Sequence, residues 1–398
     1  MNRIGILTFH RSTNNGALIQ CYSLACRLQT DFPESSVEVI DYSMPRVNKH
    51  IYAESISEYL SECNLRERIV RLKTLLKDPY KIKRQKEKND VFRLAVRNLP
   101  LSSEYIYENS TERLFQYLES KYDQVVVGSD AVWNYTLRGF PNPYFLNERL
   151  NVKKYAYAAS CYGMNYELIP DAEKEQIGRT LNSYLFIGVR DEESCKFAKS
   201  VGCNLPIYHT CDPTVFLDTD SLPVNKDVLM DKLRSNGYDE KKQSIGVMGS
   251  NKICKMVKRL FGKQYQIVSL FNYCQDADVN LYSISPFEWA YVFRLFRITF
   301  TTYFHGTLLS LRNGVPVICI ELSNEYSKVH MSKVEDFLIR LNLQKYYFRT
   351  DCSGKDDLEI KSAAVDAIYH LTKSNILSSM EREERFYELF KKELMNTK

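Results

Sequence analysis

The segment TTYFHGTLLSLRNGVPVICIE, residues 301–321, constrains the fold of this chain more than any other stretch. The apolar and β-branched run 298–303 suits a strand, and Leu308, Leu309 and Leu311 give the following residues a helical apolar face. Asn313 and Gly314 stop that helix, and after Pro316 a second apolar run extends from Val317 to Ile320. Strand, abrupt turn, helix and buried strand is the pattern of an α/β protein. His305 and Gly306 then fall between the carboxyl end of a strand and the amino end of a helix. Open parallel sheets bind ligands at that edge, where the free N–H groups of a helix start attract phosphate or carboxylate. A histidine there is placed to move a proton; the plain alternative is a surface turn histidine bonded to its own backbone.

The same pattern recurs along the chain. Residues 3–9 read as a strand, 15–28 as a helix and 37–42 as a strand, which is a βαβ opening. Strands at 124–128, 155–160 and 186–189 follow, with helices at 171–184 and from 192. After a Pro- and Asp-containing segment at 211–227, strands at 244–248 and 265–271 restart the series. Ser285 before Pro286, with Glu288 in the first turn, marks a helix start. A chain of 398 residues is too long for one ordinary core. The reading is α/β with two Rossmann-like domains facing a cleft: 1–215, carrying a basic helical insertion at about 54–98, and 216–375. A C-terminal helix within 376–398 is placed to pack back across both.

Composition excludes several classes. Lys plus Arg total 54 against 49 Asp plus Glu, a net charge of +5 that does not call for nucleic acid. Eleven cysteines, an odd and scattered set without a C-x-x-C pair or a Cys/His cluster, read as reduced thiols of a cytosolic protein. No run approaches the roughly 18 to 20 apolar residues of a membrane span. The basic run KIKRQKEK, 81–88, is ordinarily a solvated helix face. Within 66–97 the apolar side chains Ile69, Leu72, Leu75 and Leu76 could pack on the domain, or the segment could make a peripheral contact with an anionic membrane. The 28 Tyr and 20 Phe against 2 Trp suit sugar stacking, although many will be core.

Four polar clusters fall at strand ends or helix starts. Ser12 to Gly16, with Asn14 and Asn15, could approach an anion or a sugar, or simply cap the helix. Gly128, Ser129 and Asp130, with Trp133 and Asn134 behind them, would suit sugar hydroxyls and a ring face, or form a cap beside a core indole. Arg190 would project from its strand end toward carboxylate or phosphate, or pair with Asp191, Glu192 or Glu193. His305, Gly306 and Thr307 form the fourth cluster, joined by Glu325, Tyr326 and Lys328. No P-loop, G-x-G-x-x-G, H-E-x-x-H or nucleophile elbow is present. No metal site is legible, and activity in a chelator is expected. An anion-binding transferase using acid/base catalysis fits these residues best.

STNNGALIQCYSL (12–24), VVVGSDAVWN (125–134), YAYAASCYG (155–163), GVRDEES (188–194), CDPTVFLD (211–218) and the segment 301–321, in this order and spacing, resemble the polysaccharide pyruvyl transferase family from about residue 3 to 345. The resemblance implies the architecture of B-type glycosyltransferases, with the acceptor on the N-terminal and the donor on the C-terminal domain. It implies phosphoenolpyruvate as co-substrate with no further cofactor, and a hexose diol, commonly galactose, as acceptor. The acceptor would belong to an undecaprenyl-pyrophosphate-linked oligosaccharide at the inner face of a bacterial membrane, and the product is a cyclic pyruvate ketal. On this reading His305 and Asp130 are the catalytic residues, His305 as the general acid or else as the group that holds the departing phosphate, and Asp130 orienting or deprotonating an acceptor hydroxyl. Arg190, Gly306, Thr307 and Lys328 hold the donor. Asn14, Asn15, Ser129, Trp133, Asn134 and Glu325 hold the acceptor. The chain departs from the family where many members carry a basic residue two positions before the histidine and this one has Tyr303; Lys328 or Arg312 could supply that charge. Two rivals remain at this point. A nucleotide-sugar glycosyltransferase lacks its usual glutamate pair here, since Glu321 and Glu325 are four apart and position 329 is Val. A non-catalytic glycan-binding protein would be favoured by a His305 buried and paired away from the cleft.

Overall fold

The computed structural model describes residues 2–44, 49–108, 111–322 and 331–396. The apolar runs form two six-stranded sheets, every neighbouring pair parallel. The first contains β1 (Arg3–Leu7), β2 (Ser36–Val39), β5 (Gln124–Val127), β6 (Lys153–Ala159), β7 (Phe186–Val189) and β8 (Ile207–His209) in the order β2-β1-β5-β6-β7-β8. The second contains β9 (Ser244–Met248), β10 (Gln266–Leu270), β11 (Val279–Leu281), β12 (Ile298–Thr301), β13 (Val317–Glu321) and β14 (Tyr347–Arg349) in the order β11-β10-β9-β12-β13-β14. β3 (Tyr42–Ser43) and β4 (Ile106–Tyr107) pair separately. The central strands are buried along nearly their whole length, since helices cover both faces of a parallel sheet.

Each sheet reverses its strand order once, between β1 and β5 and between β9 and β12. Ligand crevices of open parallel sheets lie at such points, outside the carboxyl ends of the strands. The loops after these four strands therefore define where chemistry belongs.

Several boundaries differ from the sequence reading. The run 298–303 leaves the sheet after Thr301, because Tyr303 is already the N-cap of the helix Phe304–Arg312. The basic stretch forms two helices, Leu65–Lys77 and Lys81–Val96, interrupted at Pro79, which has no N–H to continue the first. The first of these buries no residue, and Leu65, Ile69, Val70, Leu72 and Leu76 are exposed rather than packed on a domain. The terminal segment is two helices, Lys373–Glu384 and Phe386–Asn396. The last lies on the first sheet, where Phe390 meets the rings of Tyr155, Tyr157 and Phe186. Arg27 ties the helix Asn15–Asp31 to Glu384 at 2.5 Å, and Lys391 bonds Asp31 at 2.6 Å. No described helix is long and apolar enough to cross a membrane.

Candidate active site

His305 sits in the first turn of its helix, a position fixed by the short Thr302-Tyr303 turn after β12. Its imidazole packs on Gly16 in the first turn of the helix Asn15–Asp31. A Cβ on Gly16 would lie 2.2 Å from His305 Nδ1, so the approach of the two helix starts requires glycine there. Tyr303 makes no side-chain cap bond, leaving the first N–H groups of the histidine's helix unclaimed by a cap.

Asp212 joins the two halves of the site. Its Oδ2 lies 3.6 Å from His305 Nε2, and it accepts from Arg190 Nη1 at 2.8 Å and Ser129 Oγ at 3.3 Å. The Thr214 N–H donates to Oδ1 at 3.0 Å. Burial by itself would raise the Asp212 carboxyl, but His305, Arg190 and this backbone N–H outweigh it and hold the group well below the usual carboxylate range. Burial would lower the Arg190 guanidinium, but Asp212, Asp130 and Asp191 overcome it and raise it. Arg190 is 1% exposed, with Nη2 3.7 Å from Asp130 Oδ1 and Cζ 4.9 Å from the centre of the Phe304 ring. Asp191 is occupied elsewhere, accepting from Ser160 Oγ and from both the N–H and Oγ of Ser194.

Three buried nitrogens in this group make no hydrogen bond, Arg190 Nε, Arg190 Nη2 and His305 Nε2, the last two held only by the longer ion-pair contacts to Asp130 and Asp212. Buried donors normally find partners, so an unpaired trio converging on one crevice marks a place for an acceptor group. Lys333, which starts the helix Lys333–Arg340, adds a cation over the Phe304 ring at 5.6 Å and the Tyr162 ring at 5.1 Å. Burial and the nearby Arg190 lower its ammonium, partly offset by Asp130, Asp191 and Asp212.

Asp130 links this group to a cavity of about 430 Å³. Aromatic walls from Phe9, Tyr42, Tyr52, Tyr105, Tyr107 and Tyr144 surround it, and Ser12, Asn14 and Arg11 add polar groups. Asp130 has φ 84°, a left-handed conformation that costs a non-glycine residue about 1–2 kcal/mol. Its Oδ1 accepts from the Ala131 N–H at 2.8 Å. At the far wall the buried His10 lies 3.1 Å from Asp41 Oδ1, and Arg11 bonds both Asp41 oxygens at 2.5 and 2.6 Å. Burial raises the Asp41 carboxyl, but Arg11 and His10 outweigh it and lower it.

The structure thus brings together His305, Arg190, Asp130, Ser129 and the Asn14–Gly16 turn. Asn14 caps its helix through the N–H groups of Gly16 and Ala17 and lines the cavity, and Asn15 is buried beside it. Gly306 is buried against Thr301 and Met248. Three expectations are corrected. Trp133 is fully buried, parallel to Phe145 at 6.0 Å, so it is core rather than a sugar platform. Asn134 caps the short helix Tyr135–Arg138 and donates to the Tyr162 carbonyl, which uses the side chain structurally. Thr307 is buried with its hydroxyl toward the Tyr303 carbonyl and Cys319 Sγ, on the inner face of its helix. Arg312 lies two turns beyond His305 on its helix, and its Nε bonds the Leu217 carbonyl at 2.5 Å. Glu325, Tyr326 and Lys328 lie outside the described residues. His305 is 9% exposed, yet its partner is Asp212, within the cluster, rather than a group away from it. Asp212, Lys333, His10, Arg11 and Asp41 were missed. The position of His10-Arg11 directly after a strand could have marked them, and CDPTVFLD could have marked Asp212; nothing in the spacing singles out Lys333. Among the described residues no group of three His, Cys, Asp or Glu is placed to hold a metal ion.

Two facing Rossmann-like units with a crevice between them is the arrangement of B-type glycosyltransferases and their relatives. The chain is similar in fold to UDP-GlcNAc 2-epimerase from Methanocaldococcus jannaschii, with a TM-score of 0.55, 10% identity and coverage of 98% of this chain and 99% of that one. UDP-GlcNAc 2-epimerase from Neisseria meningitidis, solved bound to UDP-GlcNAc, gives a TM-score of 0.52 at 11% identity over 100% of both chains. No curated protein matched the sequence. The polysaccharide pyruvyl transferase profile matches residues 14–324, a span holding Gly16, Asp130, Arg190, Asp212 and His305. The chain belongs to the polysaccharide pyruvyl transferase family, enzymes that transfer a pyruvyl group to a glycan.

Proposed function

We propose that this enzyme moves pyruvate from phosphoenolpyruvate onto two hydroxyls of a hexose, closing a cyclic ketal, with galactose in a lipid-linked polysaccharide intermediate as the acceptor. The observation that carries this reading is the trio of unpaired buried donors, Arg190 Nε, Arg190 Nη2 and His305 Nε2, backed by Lys333. A small trianion such as phosphoenolpyruvate supplies the missing acceptors. Lys333 takes the place of the cation absent at Tyr303. These atoms are closed to solvent, so the donor reaches them only when the walls of the crevice part.

His305 gives a proton to the methylene carbon, leaving an oxocarbenium-like centre at the adjacent carbon. One sugar hydroxyl bonds to that carbon, and its proton passes to Asp130. The carbon–oxygen bond to phosphate then breaks, phosphate taking the electron pair, and the second hydroxyl closes the ring, its proton passing to His305 and restoring the acid. Asp212 keeps the imidazole oriented and balances Arg190. Asp130 lies between the donor group and the aromatic cavity, which is the place for the hexose: ring faces stack on Tyr and Phe while hydroxyls meet Ser12, Asn14 and Asp130.

The test is phosphate release from phosphoenolpyruvate with and without a panel of hexosides, each product weighed for a ketal-linked pyruvate. Acceptor-dependent release with that mass gain is expected, falling roughly 10²- to 10⁴-fold in His305→Ala. No release with any hexoside, or near-normal turnover by His305→Ala, rejects the reading.

A further inference from the structure

A second cavity, of about 270 Å³, lies at the carboxyl ends of β9 and β10 in the second sheet. One wall is the start of the helix Lys81–Val96, contributing Lys81, Arg84 and Lys88. The opposite wall is the loop after β9, Gly249-Ser250, where the eleven-residue helix Asn251–Phe261 begins. Ser250 is the N-cap of that helix but makes no cap bond, so the positive end of the helix faces the three cations across the cavity. The wall's one carboxylate, Asp78, is taken by Arg84. Lys81 and Lys88 have no carboxylate partner among the described residues; the Lys88 ammonium rests on the Phe271 carbonyl at 3.1 Å. Burial, with Lys81 alongside, pushes Lys88 down to about 7. Like charges are thus held together along one wall of the cavity, where an anion would offset their repulsion.

The position of the cavity fixes the size of its ligand. Asn272, on its floor, donates to the Tyr303 hydroxyl at 3.1 Å, two residues before His305. Phe92 of the same basic helix lines the aromatic cavity. From Arg84 to Phe92 is eight residues, about 12 Å of helix at 1.5 Å per residue. One ligand lying along this helix can therefore place a sugar beside Asp130 and an anionic group among Lys81, Arg84 and Lys88. The preceding helix, Leu65–Lys77, exposes Leu65, Val70, Leu72 and Leu76, apolar side chains of which the last is five residues before Lys81 in the chain.

We propose that this cavity is a diphosphate subsite, which anchors the acceptor through the diphosphate ester that carries its sugar. The subsite stands on the chemistry of the pocket; only the identity of the sugar it presents rests on the pyruvyl-transfer reading.

Calorimetric titration with inorganic pyrophosphate tests it in the full-length protein. Ser250→Asp places a carboxylate at the pocket while remaining a good N-cap, so the fold should tolerate it. Binding is expected to weaken at least about tenfold in Ser250→Asp and in Lys81→Gln/Lys88→Gln, and to survive His305→Ala. Turnover with a free, unphosphorylated hexoside should be unchanged in Ser250→Asp. Farnesyl diphosphate and uridine diphosphate then compete against pyrophosphate: displacement by the first alone identifies a lipid carrier, and by the second alone a nucleotide carrier. Absence of pyrophosphate binding, binding indifferent to Ser250→Asp, binding abolished by His305→Ala, or displacement by neither competitor overturns the proposal. If phosphoenolpyruvate turnover is absent while pyrophosphate binding still responds to Ser250→Asp, the pyruvyl reading falls and the subsite stands.

Discussion

Asp212→Asn is the substitution most revealing of how the site is held. The carboxylate takes four contacts: Arg190 Nη1 at 2.8 Å, Ser129 Oγ at 3.3 Å and His305 Nε2 at 3.6 Å on Oδ2, and the Thr214 N–H at 3.0 Å on Oδ1. An amide of the same shape has one acceptor end and one donor end. Turned one way, its NH2 meets the Thr214 N–H; turned the other, it meets Arg190. Either orientation also removes the charge that balances a guanidinium only 1% exposed. Losing one partner of a buried pair costs about 3–5 kcal/mol. Urea unfolding at pH 7 should show that loss, with a melting temperature lower by on the order of 5–10 °C. The sign with pH follows from the direction of the shift. The Asp212 carboxyl is lowered in the fold, so its contribution is complete above the unfolded value of about 3.9 and is lost as pH falls below it. The gap between Asp212→Asn and the natural protein should therefore narrow from about pH 4 downward. Arg190→Met/Asp212→Asn, which removes both charges, should recover much of the stability and none of the activity. A cost below about 1 kcal/mol, or a gap constant down to pH 3, would refute the pairing argued here.

Gly16→Ala puts a Cβ 2.2 Å from His305 Nδ1, so the imidazole must shift; turnover should fall on the order of 10²-fold with the melting temperature little changed, measured by phosphate release and thermal scanning. Trp133→Phe should leave the acceptor KM unchanged and lower stability by about 1–3 kcal/mol, because the indole is core; a large KM change would return it to the acceptor site. Helix Leu65–Lys77 carries five Lys or Arg against Glu67, so binding to anionic vesicles should weaken steeply between low and physiological salt and drop in Leu72→Glu/Leu76→Glu, read by co-sedimentation. Lys88 is pushed down to about 7 by burial and Lys81, so between that pH and about 10.4 the unfolded chain binds more protons and stability rises with pH. Lys88→Met should accordingly stabilise most below about pH 7, with the gain fading toward pH 10; a pH-independent gain would contradict the shift.

The two sheets were legible because buried parallel strands are short apolar runs bounded by turn residues, and those runs carry their own signal at 124–127, 244–248 and 298–301. Helix starts were legible where chemistry marks them, as at Ser285-Pro286 with Glu288, which forms a full capping box. Arg190 could be read as a candidate because it directly follows a strand, and His305 because it lies in the first turn of a helix that a short turn joins to one. What could not be read was which carboxylate each would meet. Asp191 is adjacent to Arg190 in sequence, yet it turns back to cap its own helix. Asp212, twenty-two residues on, arrives at the guanidinium through the crossover from β8. Trp133 and Asn134 were misplaced for a related reason: local sequence puts them beside Asp130, but the turn at Asp130, with its positive φ, sends them into the core.

The arrangement of charge argues for function more strongly than any single residue. A buried ion pair is seldom a better source of stability than apolar side chains of the same volume. Asp130 adds the cost of a left-handed backbone, and burial, with Arg190 nearby, lowers the Lys333 ammonium. Packing alone would favour replacing all of these. They are arranged so that two guanidinium nitrogens and one imidazole nitrogen converge with no hydrogen bond, although Asp130 and Asp212 lie 3.7 and 3.6 Å from two of them. An anion bound there would offset the repulsion between Arg190 and Lys333 and accept a hydrogen bond from His305. That relief is available only when all three face the ligand together, which requires the two helix starts at Gly16 and His305 to be in register. On the proposed reading, a substitution that loosens the contact between Gly16 and His305 should therefore weaken donor affinity before it unfolds the protein.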